Sequence, residues 1–171
     1  MKKKKYLLIK IFILILCSIF ISLGSNNAFS GQKIKVIDGD SIELNGERIR
    51  LEGIDAPEYT QYCFDYKKEK YDCGIKSKEY LEKIVMVEDF YCESMGKDKY
   101  NRTLSVCYAN GQNVNEAMLA AGWAVVYRSQ NPIYNMAQLR AKRQKNGIYR
   151  GKYIAPELYR RLNKRKNIKK S

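Results

Sequence analysis

The densest run of residues able to do chemistry lies between Asp38 and Glu58, where the acids Asp38, Asp40, Asp55 and Glu58 are interleaved with Arg50. Carboxylates are hard oxygen donors, so four of them on two short segments favour a hard cation such as calcium or magnesium. Both segments, Asp38-Gly39-Asp40 and Asp55-Ala56-Pro57-Glu58, fall at the ends of strand-like stretches, where side chains can converge. Asp-Gly turns are also common for local reasons, so the acids alone leave a purely structural role open. Arg102 adds a second feature, at the end of Asp98-Lys99-Tyr100-Asn101-Arg102. Guanidinium groups bind phosphate through paired N–H donors and keep their proton, so two of them beside a metal suit a phosphoryl transition state that gathers negative charge. The chain has no histidine. That excludes imidazole general bases and Ser-His-Asp triads, and leaves carboxylates, arginines, lysines or a metal to do the work.

The elements that must position these residues follow from turn signals and periodicity. Lys33 to Ile37, Ser41 to Leu44 and Arg48 to Ile54 read as strands of a meander, punctuated by Asp38-Gly39-Asp40 and by Asn45-Gly46, a strong hairpin signal. The polar, lysine-rich stretch Tyr59 to Asp72 reads as a surface loop. Ile75 to Val85 reads as a short helix with loosely spaced apolar residues. Val87 to Cys92 and Leu104 to Tyr108 read as two further strands joined by the polar loop Glu93 to Arg102. A helix over Asn113 to Ala121 has Asn113 as candidate N-cap, Glu116 completing a capping-box arrangement and Gly122 to stop it. A last helix spans about Tyr134 to Asn146. Early strands followed mostly by helices indicate an α+β domain built around a small β-barrel, with about three helices.

The first thirty residues stand apart. Lys2 to Lys5 precede an almost wholly apolar run from Tyr6 to Leu23, and Ala28-Phe29-Ser30 offers a small-x-small cleavage site, so residues 1–30 are expected to be a signal peptide cut after Ser30. A retained membrane anchor is the alternative. Cys17 follows bulky residues and reads as part of the discarded peptide. Cleavage leaves 141 residues, enough for one domain with a genuine core, and an exported product, periplasmic or secreted. It removes five lysines and no acids, leaving a net charge of +9. Nine Lys or Arg and one acid lie between Arg150 and Ser171, so residues 151–171 form a basic tail on a nearly neutral domain. Such a tail attracts polyanions, phosphate backbones or anionic membranes alike, or is simply a solvated terminus. Four cysteines remain, Cys63, Cys73, Cys92 and Cys107; the even number and the export signal favour two disulfides, with three pairings open. No C-x-x-C pair exists, which argues against zinc-finger ligation and thioredoxin-like chemistry.

Three strings, Val36-Ile37-Asp38-Gly39-Asp40-Ser41, Arg50-Leu51-Glu52-Gly53-Ile54-Asp55-Ala56-Pro57-Glu58 and Asp98-Lys99-Tyr100-Asn101-Arg102, resemble the signature motifs of the staphylococcal nuclease family in that family's order. Asn113 to Leu119, closed by Gly122, and Gly147-Ile148-Tyr149 are similar to it too, so the resemblance covers residues 33–150. It implies a five-stranded OB-fold β-barrel with helices packed on it, and a calcium-dependent nuclease that hydrolyses DNA and RNA by breaking the 5′ P–O bond to leave 3′-phosphate ends. By position, Asp40, Asp55 and the backbone carbonyl of Ala56 would ligate one Ca²⁺, with Asp38 supporting them from behind. Glu58 would be the general base, Arg50 and Arg102 would hold the scissile phosphate, and Lys99, Tyr100 and Tyr127 would line the nucleotide pocket. The cysteines resemble those of exported bacterial relatives, in which Cys63 pairs with Cys73 and Cys92 with Cys107. Ala56 stands where the best-known member has threonine, a change that a backbone ligand survives. Asn101 replaces a glycine, and asparagine tolerates left-handed backbone better than most residues. A monomer acting on nucleic acid is expected, with the membrane touched only through the signal segment. A non-catalytic module of the same fold, binding nucleic acid or protein, is the main alternative; a basic surface protein whose acids only hold structural calcium is another. All five key side chains, Asp40, Arg50, Asp55, Glu58 and Arg102, are present, which favours activity.

Overall fold

Strands form where branched and apolar residues alternate with polar ones, and turns where asparagine and glycine relieve the backbone. A computed structural model describes residues 31–168. The expected signal segment, residues 1–30, lies outside the described residues. The first strands are β1 (Ile34–Asp38), β2 (Ser41–Leu44) and β3 (Glu47–Leu51), an antiparallel meander turning at Asn45-Gly46, both with positive φ. Short β4 (Ile54–Asp55) follows, then a small hairpin of β5 (Cys63–Phe64) and β6 (Lys70–Tyr71). Helix α1 (Cys73–Val85) leads to β7 (Phe90–Lys97) and β8 (Thr103–Ala109), which pair antiparallel. After β9 (Gln112–Asn113) come α2 (Val114–Ala120), β10 (Val125–Val126), α3 (Pro132–Gln144), a 3₁₀ turn (Gly147–Arg150) and α4 (Pro156–Ile168).

The main sheet runs β1-β2-β3-β8-β7, with β9 attached to β8. Its β3–β8 pairing is parallel and the rest antiparallel, which makes it the five-stranded sheet of an OB-fold carrying helices. Inward residues of these strands (Ile42, Leu51, Phe90) meet Leu81 and Val85 of α1 and Met118 and Leu119 of α2 in one core. Strand β8 turns the small or polar Thr103, Ser105 and Cys107 inward; the Thr103 hydroxyl donates to the Glu47 carboxylate, and buried Asn115 partners the backbone at Ser105 and Cys107. Its side-chain amide donates to the carbonyls of Glu52 and Ser105 and its oxygen accepts from the N–H of Cys107, at 2.9–3.1 Å. The capping of α2 is as expected from sequence, with the Asn113 side chain accepting from the N–H of Glu116.

Three differences from the sequence reading have identifiable physical causes, and both disulfides pair as the family resemblance implied. Strand β7 continues past Cys92 to Lys97 although its residues there are exposed and polar, because it is held by backbone pairing to β8 through a bulge near Gly96. The expected loop over 59–72 contains the β5–β6 hairpin, closed by the Cys63–Cys73 disulfide. The second disulfide joins Cys92 and Cys107, directly opposed on β7 and β8. Among the described residues there are four α-helices rather than about three, since the basic tail folds as α4. Pro156 suits the first helical turn. Its approach is fixed by backbone hydrogen bonds between Phe64 and Lys152 and by the Tyr159 hydroxyl donating to the carbonyl of Thr60. Residues 151–168 thus pack as part of the same unit as the sheet.

Candidate active site

Asp40 is set by the turn that links β1 to β2. The Asp38 carboxylate accepts from the N–H of Asp40 at 3.0 Å, which fixes that turn. Gly39 sits so close to Ser77 of α1 and to Ala56 that any side chain there would collide with both. In the β2–β3 ladder Ser41 lies opposite Arg50, and this register carries the Arg50 guanidinium to the acids. Arg50 Nη1 donates to Asp40 Oδ1 at 2.7 Å and Nη2 donates to Asp55 Oδ1 at 2.9 Å, so one guanidinium bridges two buried carboxylates. Asp40 also accepts from the Ser41 hydroxyl at 2.8 Å and from the N–H of Ala56 at 3.1 Å. Short β4, paired with β10, places Asp55 and Ala56 beside them.

Burial, followed by the charge of Asp38, pushes the Asp40 carboxyl above its ordinary range, against the opposing pull of Arg50 and of the hydrogen bonds from Ala56 and Ser41. Burial disfavours the charged form of Arg50, but the neighbouring Asp40 and Asp55 outweigh it and raise that guanidinium further.

Glu58 is held by its backbone. Its N–H donates to the side-chain oxygen of Gln61 at 3.2 Å, and the N–H of Gln61 donates back to its carbonyl. Gly74, in the first turn of α1, lies against the Glu58 carbonyl so closely that a side chain there would strike it. The Glu58 side chain accepts from Arg160 Nη1 at 2.7 Å. The same guanidinium forks onto Asp55, donating from Nη1 to Oδ1 and from Nη2 to Oδ2, both at 2.9 Å. Sequence reasoning missed Arg160, because nothing in a run of basic residues marks one of them as returning to an acidic cluster 105 positions earlier. It also missed buried Gln61, whose side-chain amide donates to the carbonyl of Ile154 at 2.7 Å and so ties the Glu58 loop to the start of α4.

Arg102 lies one residue before Thr103, which faces Ile49 in the parallel β3–β8 ladder, so it enters from the strand next to that of Arg50. Its guanidinium pairs with Asp98 at 2.7–2.9 Å; among the described residues its ion pair is with Asp98 and not with Asp40, Asp55 or Glu58. Burial alone would raise the Asp98 carboxyl, but hydrogen bonds from the Arg102 backbone and side chain and from the N–H of Tyr100 hold it below its ordinary range. Asn101 adopts φ +62°, the left-handed conformation that a glycine would supply at this corner. Tyr100 is exposed, with Lys99 and Arg102 near its ring face at 5.0 and 5.7 Å. Tyr127 is half-buried after β10, held by its N–H to the carbonyl of Gly53 and covered by Arg128.

The cluster therefore unites Asp38, Asp40, Arg50, Asp55, Ala56 and Glu58, while Arg102, Lys99 and Tyr100 form a second group on the neighbouring strand. No three His, Cys, Asp or Glu side chains gather as a ready-made metal nest among the described residues. The donor chemistry nevertheless fits a divalent cation. Asp40 and Asp55 with the Ala56 backbone are hard oxygen donors. Asp40, Asp55 and Glu58 pair with the two guanidiniums of Arg50 and Arg160, and with Asp38 beside them the cluster carries two negative charges in excess for such an ion to balance.

Residues 48–150 match the family model described as staphylococcal nuclease homologue. The chain belongs to that family. Among similar proteins, an "Uncharacterized endonuclease" of Escherichia coli O157:H7 is 35% identical over 126 residues, covering 70% of this chain and 76% of the relative. A Haemophilus influenzae protein of the same description is 34% identical over 139 residues, covering 77% and 72%. The "Succinoglycan biosynthesis protein ExoI" of Rhizobium meliloti is 38% identical over 130 residues, covering 74% and 68%. The family match takes in β3, β4, α1, β7, β8, α2 and α3, and stops before α4.

Proposed function

We propose that this nuclease-family protein is a calcium-dependent phosphodiesterase that cuts DNA and RNA at the 5′ P–O bond. The observation that carries the reading is the bridge from Arg50 to buried Asp40 and Asp55, with Glu58 three residues beyond Asp55 on the same chain turn. Asp40, Asp55 and the Ala56 carbonyl would hold the ion, which when bound supplies positive charge for the phosphodiester and an acidified water. Asp38 keeps the Asp40 turn in place through its hydrogen bond to the Asp40 N–H.

Glu58 takes a proton from the attacking water as the water oxygen bonds to phosphorus. In line with that new bond the P–O5′ bond breaks. The leaving oxygen takes a proton from solvent water and departs as a 5′-hydroxyl, and the phosphate stays on the 3′ side. Arg50 and Arg102 hold the non-bridging oxygens and offset the charge that builds on them. Asp98 holds the Arg102 backbone and guanidinium at the entry to β8. Exposed Tyr100, flanked by Lys99, offers a stacking face and a phosphate contact for an unpaired nucleotide, and Tyr127 would add a second aromatic face. Disulfides suit an oxidising compartment, which supports export to the periplasm or the medium. The products test the bond choice. Fragments that accept a 5′ label from a polynucleotide kinase without prior phosphatase treatment carry the expected 5′-hydroxyls; fragments that need dephosphorylation first would place the cut on the other side of phosphorus.

A further inference from the structure

The Arg160 fork occupies the two carboxylates to which the proposed function assigns the most work. Asp55 Oδ1 accepts from Arg50 and from Arg160, Oδ2 accepts from Arg160, and Glu58 Oε1 accepts from Arg160 at 2.7 Å. Both Asp55 oxygens are thereby engaged by guanidinium donors. An arginine fork presents fixed, paired N–H groups that match a carboxylate, so this contact is a directed one rather than a diffuse attraction. Burial disfavours charge on Arg160, and the hydrogen bonds and charges of Asp55 and Glu58 overcome that and raise its pKa. The helix that delivers it is anchored at its start, through Lys152 to Phe64, Ile154 to Gln61 and Tyr159 to Thr60, and lies outside the matched family domain.

We infer that Arg160 is an internal cation that holds Asp55 and Glu58 in the metal-free protein and must leave them for a divalent ion to bind. The inference rests on the assignment of Asp55 as a metal ligand and Glu58 as the base. Asp55 Oδ1 has both lone pairs taken by Arg50 and Arg160, and a divalent ion bound at Asp55 would meet the Arg160 charge at contact distance, so ion binding and the Arg160 contact oppose each other. The contacts of Lys152 and Ile154 keep the lead into α4 attached while the turn that carries Tyr159 and Arg160 moves away, giving up the Tyr159–Thr60 hydrogen bond as well. Calcium affinity is therefore set in part by a residue of the basic tail, and releasing that residue also removes the donor on Glu58 Oε1.

Calcium chloride titrated calorimetrically into the 31–171 protein, its Arg160→Ala variant and its Arg161→Ala variant separates the possibilities. Arg161 is exposed on the next position of the same helix, so its removal changes the net charge equally without touching Asp55. Arg160→Ala should bind calcium more tightly by on the order of tenfold, the equivalent of one charge-assisted contact no longer given up, and Arg161→Ala should bind as the unaltered protein does. The unaltered chain supplies a readout that needs no variant: amide hydrogen exchange in α4 beyond Pro156 should speed up when calcium is added. Equal or weaker calcium binding by Arg160→Ala, an equal gain in both variants, or α4 amides that ignore calcium would overturn the competition while leaving the metal assignment standing. Absence of calcium binding in all three proteins would remove the metal assignment itself, and the inference with it.

Discussion

Replacing Arg50 with methionine keeps the bulk of its stem and deletes the two donors that hold the acids together. Nη1 and Nη2 reach Asp40 and Asp55 at 2.7 and 2.9 Å, and those aspartate side chains are 4% and 1% exposed. Asp55 retains the Arg160 fork, which softens its loss. Asp40 keeps only the Ser41 hydroxyl and the Ala56 N–H, and faces the Asp38 charge without compensation. Breaking a buried ion pair from one side costs about 3–5 kcal/mol because the other charge stays buried. With Asp55 partly rescued, the expectation is the lower end, about 3 kcal/mol, a large share of a domain stability of about 5–15 kcal/mol. Urea unfolding in chelator of the 31–171 protein, Arg50→Met, Asp40→Asn and the double variant gives the cost and the coupling together. The double variant should be less destabilised than Arg50→Met alone, because the stranded carboxylate is gone. A loss under about 1 kcal/mol, with additive single effects, would refute the reasoning that Asp40 depends on Arg50 for its buried charge.

Two further predictions concern the groups around this cluster. Asp98→Asn should lower kcat/KM by releasing Arg102, and should also lower stability at neutral pH. Since the folded carboxyl is held below its ordinary value of 3.8, its contribution is complete above that value and disappears as pH falls through the folded value, which paired denaturation curves at neutral and strongly acid pH can check. Asn115→Leu leaves the Cys107 N–H and the Glu52 carbonyl without side-chain partners in the core, so unfolding free energy measured in urea should drop by at least about 2 kcal/mol.

The parts of the fold governed by local chemistry were readable from residues alone. Asn45-Gly46 marks the first hairpin, Asn113 with Glu116 starts α2, and Asn101 takes the left-handed corner that makes it an acceptable replacement for glycine. The cluster was legible for the same reason, since Asp40, Arg50 and Asp55 sit at strand ends whose register brings them together. What escaped depends on pairing across long sequence distances. The extension of β7 to Lys97 is a backbone ladder with no apolar alternation to betray it. Helix α4 has almost no buried stripe, and its place is fixed by Lys152, Tyr159 and Arg160 reaching residues 55–64. Gln61 looks like any polar loop residue, yet it is fully buried because three separate segments need its amide and backbone groups.

The most direct test of the proposed chemistry is digestion of single-stranded DNA by the 31–171 protein with calcium, with chelator, and with Glu58→Gln in calcium. Cutting should occur in the first sample, cease in the second, and fall by about 10²–10⁴-fold in the third, the range that a positioned general base contributes. Intact DNA in all three from folded protein, or cutting that ignores both the chelator and the loss of the Glu58 carboxylate, would contradict the account.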